Sequence, residues 1–124
     1  MSYNILVADN SNKTRQNIVK SLKQIGVSAT TEAADGEQAI NLFQKGQFDL
    51  VLTDWNLSTP KGENVVQQIR KFNKEVPIIA TSTASQKNGE LEAKQTGASD
   101  FLVKPFSNDL LREKIERFLG TTAG

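Results

Sequence analysis

The sequence predicts an α/β domain over residues 1–124, a parallel five-stranded sheet doubly wound with helices on both faces. Three observations predict it. Short apolar runs alternate with amphipathic stretches five times, which is the signature of β/α units joined by right-handed crossovers. The runs Ile5-Leu6-Val7-Ala8 and Leu50-Val51-Leu52 are apolar at consecutive positions, as in strands covered on both faces. A chain of 124 residues suits one hydrophobic core.

Residues 5–8 read as the first strand. Residues 12–25 follow as a helix, with Ile18, Leu22 and Ile25 at helical spacing and Gly26 as its C-terminal cap. Residues 27–33 form a second, more polar strand, expected at an edge, and Asp35-Gly36 is a turn. Ala39, Ile40, Leu42 and Phe43 mark a helix that Gly46 stops. Residues 48–53 are the third strand. Beyond a loop holding Pro60 and Gly62, Val65, Val66, Ile69 and Phe72 make the third helix. Pro77 opens a strand over residues 78–81. Residues 86–96, closed by Gly97, are the weakest helix. Gly89 interrupts it, and only Leu91 and Ala93 offer apolar contact, a composition suited to a mobile switching segment. Residues 99–103 are the last strand. Leu110, Leu111, Ile115, Phe118 and Leu119 line the last helix, and residues 120–124 read as a frayed tail. These five units make the flavodoxin-like (βα)5 arrangement.

Composition closes off several chemistries. With no Cys there are no disulfides or thiolate metal sites. With no His, the commonest general base is missing, and so are Ser-His-Asp and Cys-His catalysis. The net charge of +1, with acids and bases interspersed, gives no support for binding nucleic acid or a membrane. No apolar stretch approaches the roughly 20 residues that cross a bilayer, and no basic leader precedes the first strand. The expected location is the cytoplasm.

The chemistry lies at the strand ends. The first strand delivers Asp9, the third Asp54 and the fifth Lys104, followed by Pro105. In open α/β sheets ligands bind beyond the carboxyl ends of the strands. One Asp at a strand end is more often a helix cap or turn former than a ligand. Three such charges on separate strands favour a shared site, which requires the Asp9 and Asp54 carboxyls to meet within about a helix diameter. Two carboxylates suit Mg²⁺, with Asn10 offering an amide oxygen and the carbonyl near Asn56 another. Lys104 would pair with Asp54 or with an anion attached to it. A carboxylate can take a phosphoryl group as an aspartyl phosphate, a transfer that depends on positioning and charge neutralisation more than on an acid or base.

On these residues the chain resembles the receiver domains of two-component response regulators, and most closely the single-domain, chemotaxis-type (CheY-like) receivers. Thr53-Asp54-Trp55-Asn56 and the segment from Gly97 to Phe106, with the spacing between them, carry the resemblance, which covers essentially the whole chain. It implies that Asp54 is the phosphoacceptor, that Asp9, Asn10, Asp54 and the Asn56 carbonyl hold Mg²⁺, and that Lys104 contacts the phosphoryl group. It implies that Ser82 is the switch hydroxyl, with Thr83 as the alternative one position on, and that Phe101 is the switch aromatic. Such a protein catalyses only its own phosphoryl transfer and dephosphorylation. Its partners would be a sensor histidine kinase or phosphotransfer protein, and a target that reads the face of the fourth helix, fifth strand and fifth helix. Without the resemblance, Ser82 and Thr83 read as strand-end hydroxyls and Phe101 as a core aromatic.

The chain departs from the family pattern at Asn10, where the second of two acids is usual. Losing that charge predicts weaker Mg²⁺ binding and slower transfer. Ser58 and Lys61 also depart from the common loop pattern. Asn10 sustains a second reading, a pseudo-receiver that signals by protein contacts alone. A flavodoxin using Ser11, Asn12, Thr14 and Trp55 for FMN leaves Lys104 without a role. A Mg²⁺-dependent phosphatase commonly has a second Asp where Asn56 stands.

Overall fold

The computed structural model describes residues 3–83 and 89–120. Five strands and five helices alternate: β1 Asn4–Ala8, α1 Asn12–Gln24, β2 Ala29–Ala33, α2 Gly36–Lys45, β3 Leu50–Asp54, α3 Val65–Phe72, β4 Ile78–Thr83, α4 Gly89–Thr96, β5 Asp100–Lys104 and α5 Asn108–Leu119. The strands form one parallel sheet in the order β2-β1-β3-β4-β5. Chain order reverses beside β1, which opens a crevice at the carboxyl ends of β1 and β3.

The strand side chains divide between two cores. Ile5, Val7, Leu50, Leu52, Ile79 and Leu102 pack with Ile18, Leu22, Leu111 and Ile115, so α1 and α5 cover one face. Leu6, Ala8, Val51, Ile78, Ala80 and Phe101 pack with Ala39, Phe43, Val66, Ile69 and Ala93, so α2, α3 and α4 cover the other. Each large side chain buried in this way contributes roughly 1.5–3 kcal/mol. Helix starts are fixed by side-chain caps. Ser11 accepts from the Thr14 N–H at 3.2 Å and Asp35 from that of Gln38 at 2.7 Å. Asn64 forms a capping box with Gln67. Each such cap is worth about 1 kcal/mol.

Several boundaries differ from the expected ones. The helix expected to reach Ile25 ends at Gln24, with Ile25 as its cap. Gly26, at φ 100°, lets its own N–H reach the Lys23 carbonyl while that of Val27 reaches Leu22. Val27 is therefore spent closing α1, and β2 starts at Ala29 instead of 27. Phe48 does not enter β3, which starts at Leu50; its ring stacks on Phe43 with centroids 6.2 Å apart. β4 runs to Thr83, two residues beyond expectation, as Ser82 and Thr83 pair with Val103 and Lys104. Leu91, expected to pack inward, is exposed, and Ala93 alone of that pair is buried. Residues 86–88 of the expected fourth helix and residues 121–124 of the expected tail lie outside the described residues. Among the described residues no helix is long and apolar enough to cross a membrane.

Candidate functional site

Asp9 stands one residue past β1, Asp54 ends β3 and Lys104 ends β5. Parallel pairing brings these three ends to one edge of the sheet. Lys104 Nζ donates to Asp9 Oδ2 at 2.8 Å and to Asp54 Oδ2 at 2.9 Å. One ammonium therefore bridges both carboxylates, and the meeting of Asp9 with Asp54 that the sequence required is met. Asp9 is buried, and the Asp54 and Lys104 side chains are each 15% exposed. Burial pulls the Lys104 pKa down, but hydrogen bonds and charge from Asp54 and Asp9 outweigh it and hold the ammonium above its usual value.

Local turns aim the carboxylates. Asp9 Oδ1 accepts from the Ser11 N–H at 2.9 Å, which folds the β1–α1 turn back onto its own acid. Asp54 Oδ1 accepts from the Asn56 N–H at 2.8 Å, and the Leu57 N–H reaches the Asp54 carbonyl at 3.1 Å. Trp55 is half-buried beside them, its N–H on the Thr81 carbonyl at 2.8 Å and its own carbonyl receiving the Asn64 amide. Asn10 and Asn56 are exposed at the rim. The donor set is hard oxygen from carboxylate, amide and carbonyl, which fits Mg²⁺. It is one acid short of a closed cluster: among the described residues no group of three or more acidic side chains gathers.

The switch candidates take separate surroundings. Asp54 pairs with Thr81 across the β3–β4 ladder, so Ser82 lies one residue beyond that partner and is buried. Thr83 is exposed and lines an open groove of about 470 Å³ with Thr14, Ile18, Lys104 and Phe106. Phe101 is buried in the core beneath α4.

Two charged groups escaped the sequence, one beside the site and one at the opposite end of β5. Arg15 donates to the Asp9 carbonyl at 2.7 Å and to Glu32 at 3.0 Å, bracing the turn that carries Asp9 and Asn10. Its position in the first turn of α1 was the one available signal. Asp100, at the start of β5, is buried and accepts from Lys114 at 3.0 Å and Arg117 at 2.9 Å on α5. Burial alone would raise its pKa, but the Lys114 hydrogen bond, the Phe101 N–H and both cations bring it below the ordinary carboxylate value.

Known proteins match both the sequence and this arrangement. The profile of the response regulator receiver domain matches residues 5–116. The chemotaxis protein CheY of Pseudomonas aeruginosa is 31% identical over 122 residues, covering 97% of this chain and 98% of the relative. Among solved structures, chemotaxis protein CheY4 of Vibrio cholerae superposes with a TM-score of 0.83 at 30% identity, covering 95% of this chain and 99% of that one. The receiver domain of a sensor histidine kinase from Pseudomonas aeruginosa, solved with magnesium coordinated in its active-site cleft, gives 0.84 at 27% identity, covering 98% and 100%. With five parallel strands, an acid just past β1, another ending β3 and a lysine ending β5, the chain belongs to the response regulator receiver family, of the CheY type, and so to two-component signalling.

Proposed function

We propose that this receiver takes a phosphoryl group on Asp54 in a Mg²⁺-assisted reaction and thereby changes the affinity of the face formed by α4, β5 and α5 for a target. The observation that carries the proposal is the Lys104 ammonium shared by the Asp9 and Asp54 carboxylates at the sheet's carboxyl edge. An Asp54 oxygen attacks phosphorus in line, and the bond from phosphorus to the donor breaks with its electron pair leaving on the donor. A carboxylate nucleophile has no proton to lose, which suits a chain without His. Asp9, Asn10, Asp54 and the Asn56 carbonyl would hold the cation, which when bound neutralises charge on the phosphoryl oxygens. Lys104 would turn from the carboxylates to those oxygens.

The donor would be a sensor histidine kinase or a phosphotransfer protein. Ser82, with Thr83 as the alternative, would follow the phosphoryl group, and Phe101 would repack as it does. Support for the output face comes from its surface: of the four exposed large apolar side chains among the described residues, Leu91, Val103 and Leu110 lie there. A target that prefers one state of this face reads the population shift.

Incubating the protein with acetyl phosphate and Mg²⁺ and measuring its intact mass tests the reading. A gain of one phosphoryl group that Asp54→Ala abolishes is expected. Asn10, an amide where a second acid is usual, favours the pseudo-receiver alternative, and an unchanged mass under every condition would establish that instead.

A further inference from the structure

The five helices are not held equally. α1, α2, α3 and α5 each bury at least one large apolar side chain, Leu22, Phe43, Ile69 and Leu111 among them, whereas α4 buries only Gly89 and Ala93. Glu90, Leu91, Glu92, Lys94 and Gln95 are exposed, and the ion pair of Glu90 with Lys94, at 3.1 Å, stays within the helix. What ties α4 to the domain is a side chain from α3. Arg70 Nε donates to the Gly97 carbonyl at 2.8 Å and Nη2 to Ser99 Oγ at 3.2 Å, in the turn that leads from α4 into β5. Nη1 donates to the Val76 and Asn73 carbonyls at 2.7 and 3.2 Å, just past the end of α3. Ser99 Oγ also accepts from the Ile78 N–H at 3.1 Å, which carries the link to the start of β4. Among the described residues no carboxylate pairs with Arg70, so these four oxygens answer its charge. The N–H of Gly97 closes α4 on the Ala93 carbonyl at 3.1 Å, while its own carbonyl takes Arg70. A Cβ at Gly97 would lie 2.8 Å from the Arg70 Cγ, so the glycine that ends the helix is also the seat for the arginine stem.

We propose that α4 is a latch, a helix that opens and closes as a unit while the sheet and the other four helices stay folded, and that Arg70 is its catch. Segments with few buried apolar contacts open at a fraction of the free energy of global unfolding. A helix of 8 residues is too short to persist unaided. The hold at its C-terminal end therefore decides how often it opens, and hydrogen bonds from a charged donor are the strong kind. α1 and α5 pack in the core on the opposite face of the sheet, so releasing the catch leaves them in place.

The test is native-state amide hydrogen exchange, followed by NMR, on the native chain, Arg70→Met, Arg70→Lys and Ile115→Val, with a urea midpoint for each. The amides of residues 93–98 report on α4, because the first four N–H groups of a helix lack helical partners. Those of Leu22 and Leu111 report on the rest. In the native chain the α4 amides should exchange at least about ten-fold faster than the other two. Arg70→Met should speed them about ten-fold further, the scale of a hydrogen bond to a charged group, while Leu22 and Leu111 change only as far as the urea midpoint requires. Arg70→Lys keeps the charge but loses the planar fork, and should fall between native and Arg70→Met. Ile115→Val thins the opposite core and should do the reverse, speeding Leu22 and Leu111 while α4 stays within about two-fold of native. Native α4 amides that exchange in step with Leu22 and Leu111 would overturn the latch, as would Ile115→Val speeding all three alike. Arg70 variants that leave α4 within about two-fold of native, or that speed every helix equally, would overturn the catch. Should Arg70→Met fail to fold, Arg70→Lys still decides the catch, and the native chain with Ile115→Val decides the latch.

Discussion

Ser82 and Thr83 are chemically near-equivalent neighbours in opposite surroundings, one buried at the sheet edge and one open to the groove. If the buried hydroxyl follows the phosphoryl group, Ser82→Ala slows the acetyl phosphate reaction about ten-fold, or ~1.4 kcal/mol, within the range of a hydrogen bond to a charged group. Thr83→Ala should slow it less than two-fold, and intact mass against time measures both. Asp100 gives a stability test. Its folded pKa is depressed, so its contribution is full above the unfolded value near 3.9 and is lost as pH falls through the folded one. Urea midpoints of the native chain should therefore drop below about pH 4, whereas Asp100→Asn should be less stable at neutral pH and lose less on acidification. Asp9, Asp54 and Lys104 were legible because each ends an apolar run. Asp100 was not: its cations, Lys114 and Arg117, come from about 1.7 and 2.5 turns into the following helix, and no local pattern marks a carboxylate that faces them.

At the scale of elements, α2 meets the β3–α3 loop through a glycine. A Cβ at Gly36 would lie 2.2 Å from the Ser58 carbonyl oxygen, so the helix start and the loop carrying Asn56 touch backbone to backbone. Gly36→Ala must push them apart and should cost about 1–3 kcal/mol, visible as a lower urea midpoint with unchanged slope. The number, type and order of all ten elements could be read from alternation and periodicity. Their ends could not, where they were decided by a contact with neighbours: Val27 closing α1, and Ser82 and Thr83 pairing with β5. α4 was the weakest reading because one small buried side chain, Ala93, carries most of its inward contact, and Leu91 faces out.

Across the whole molecule, the sheet separates two cores that meet only through its strands. Substitutions on the outward side of α4, β5 and α5 should therefore spare the fold. Leu91→Asp and Val103→Asp should leave stability within about 0.5 kcal/mol of native. They should weaken target binding to the beryllofluoride-loaded protein at least ten-fold, measured by Trp55 emission. A parallel sheet with helices on both faces followed from β/α alternation and crossover handedness, but not the order of its strands; the family and the switch roles proposed for Ser82 and Phe101 came only through resemblance, since periodicity cannot tell a switch ring from a core one. Within five residues, β5 holds the buried Phe101, the exposed Val103 and the bridging Lys104. The carboxylate pocket and the surface proposed for output thus share one covalent cord. A tug on the amine is felt at its peptide neighbour without any messenger crossing the interior, so an isotope label on the valine methyls would register events among the carboxylates from the outer surface.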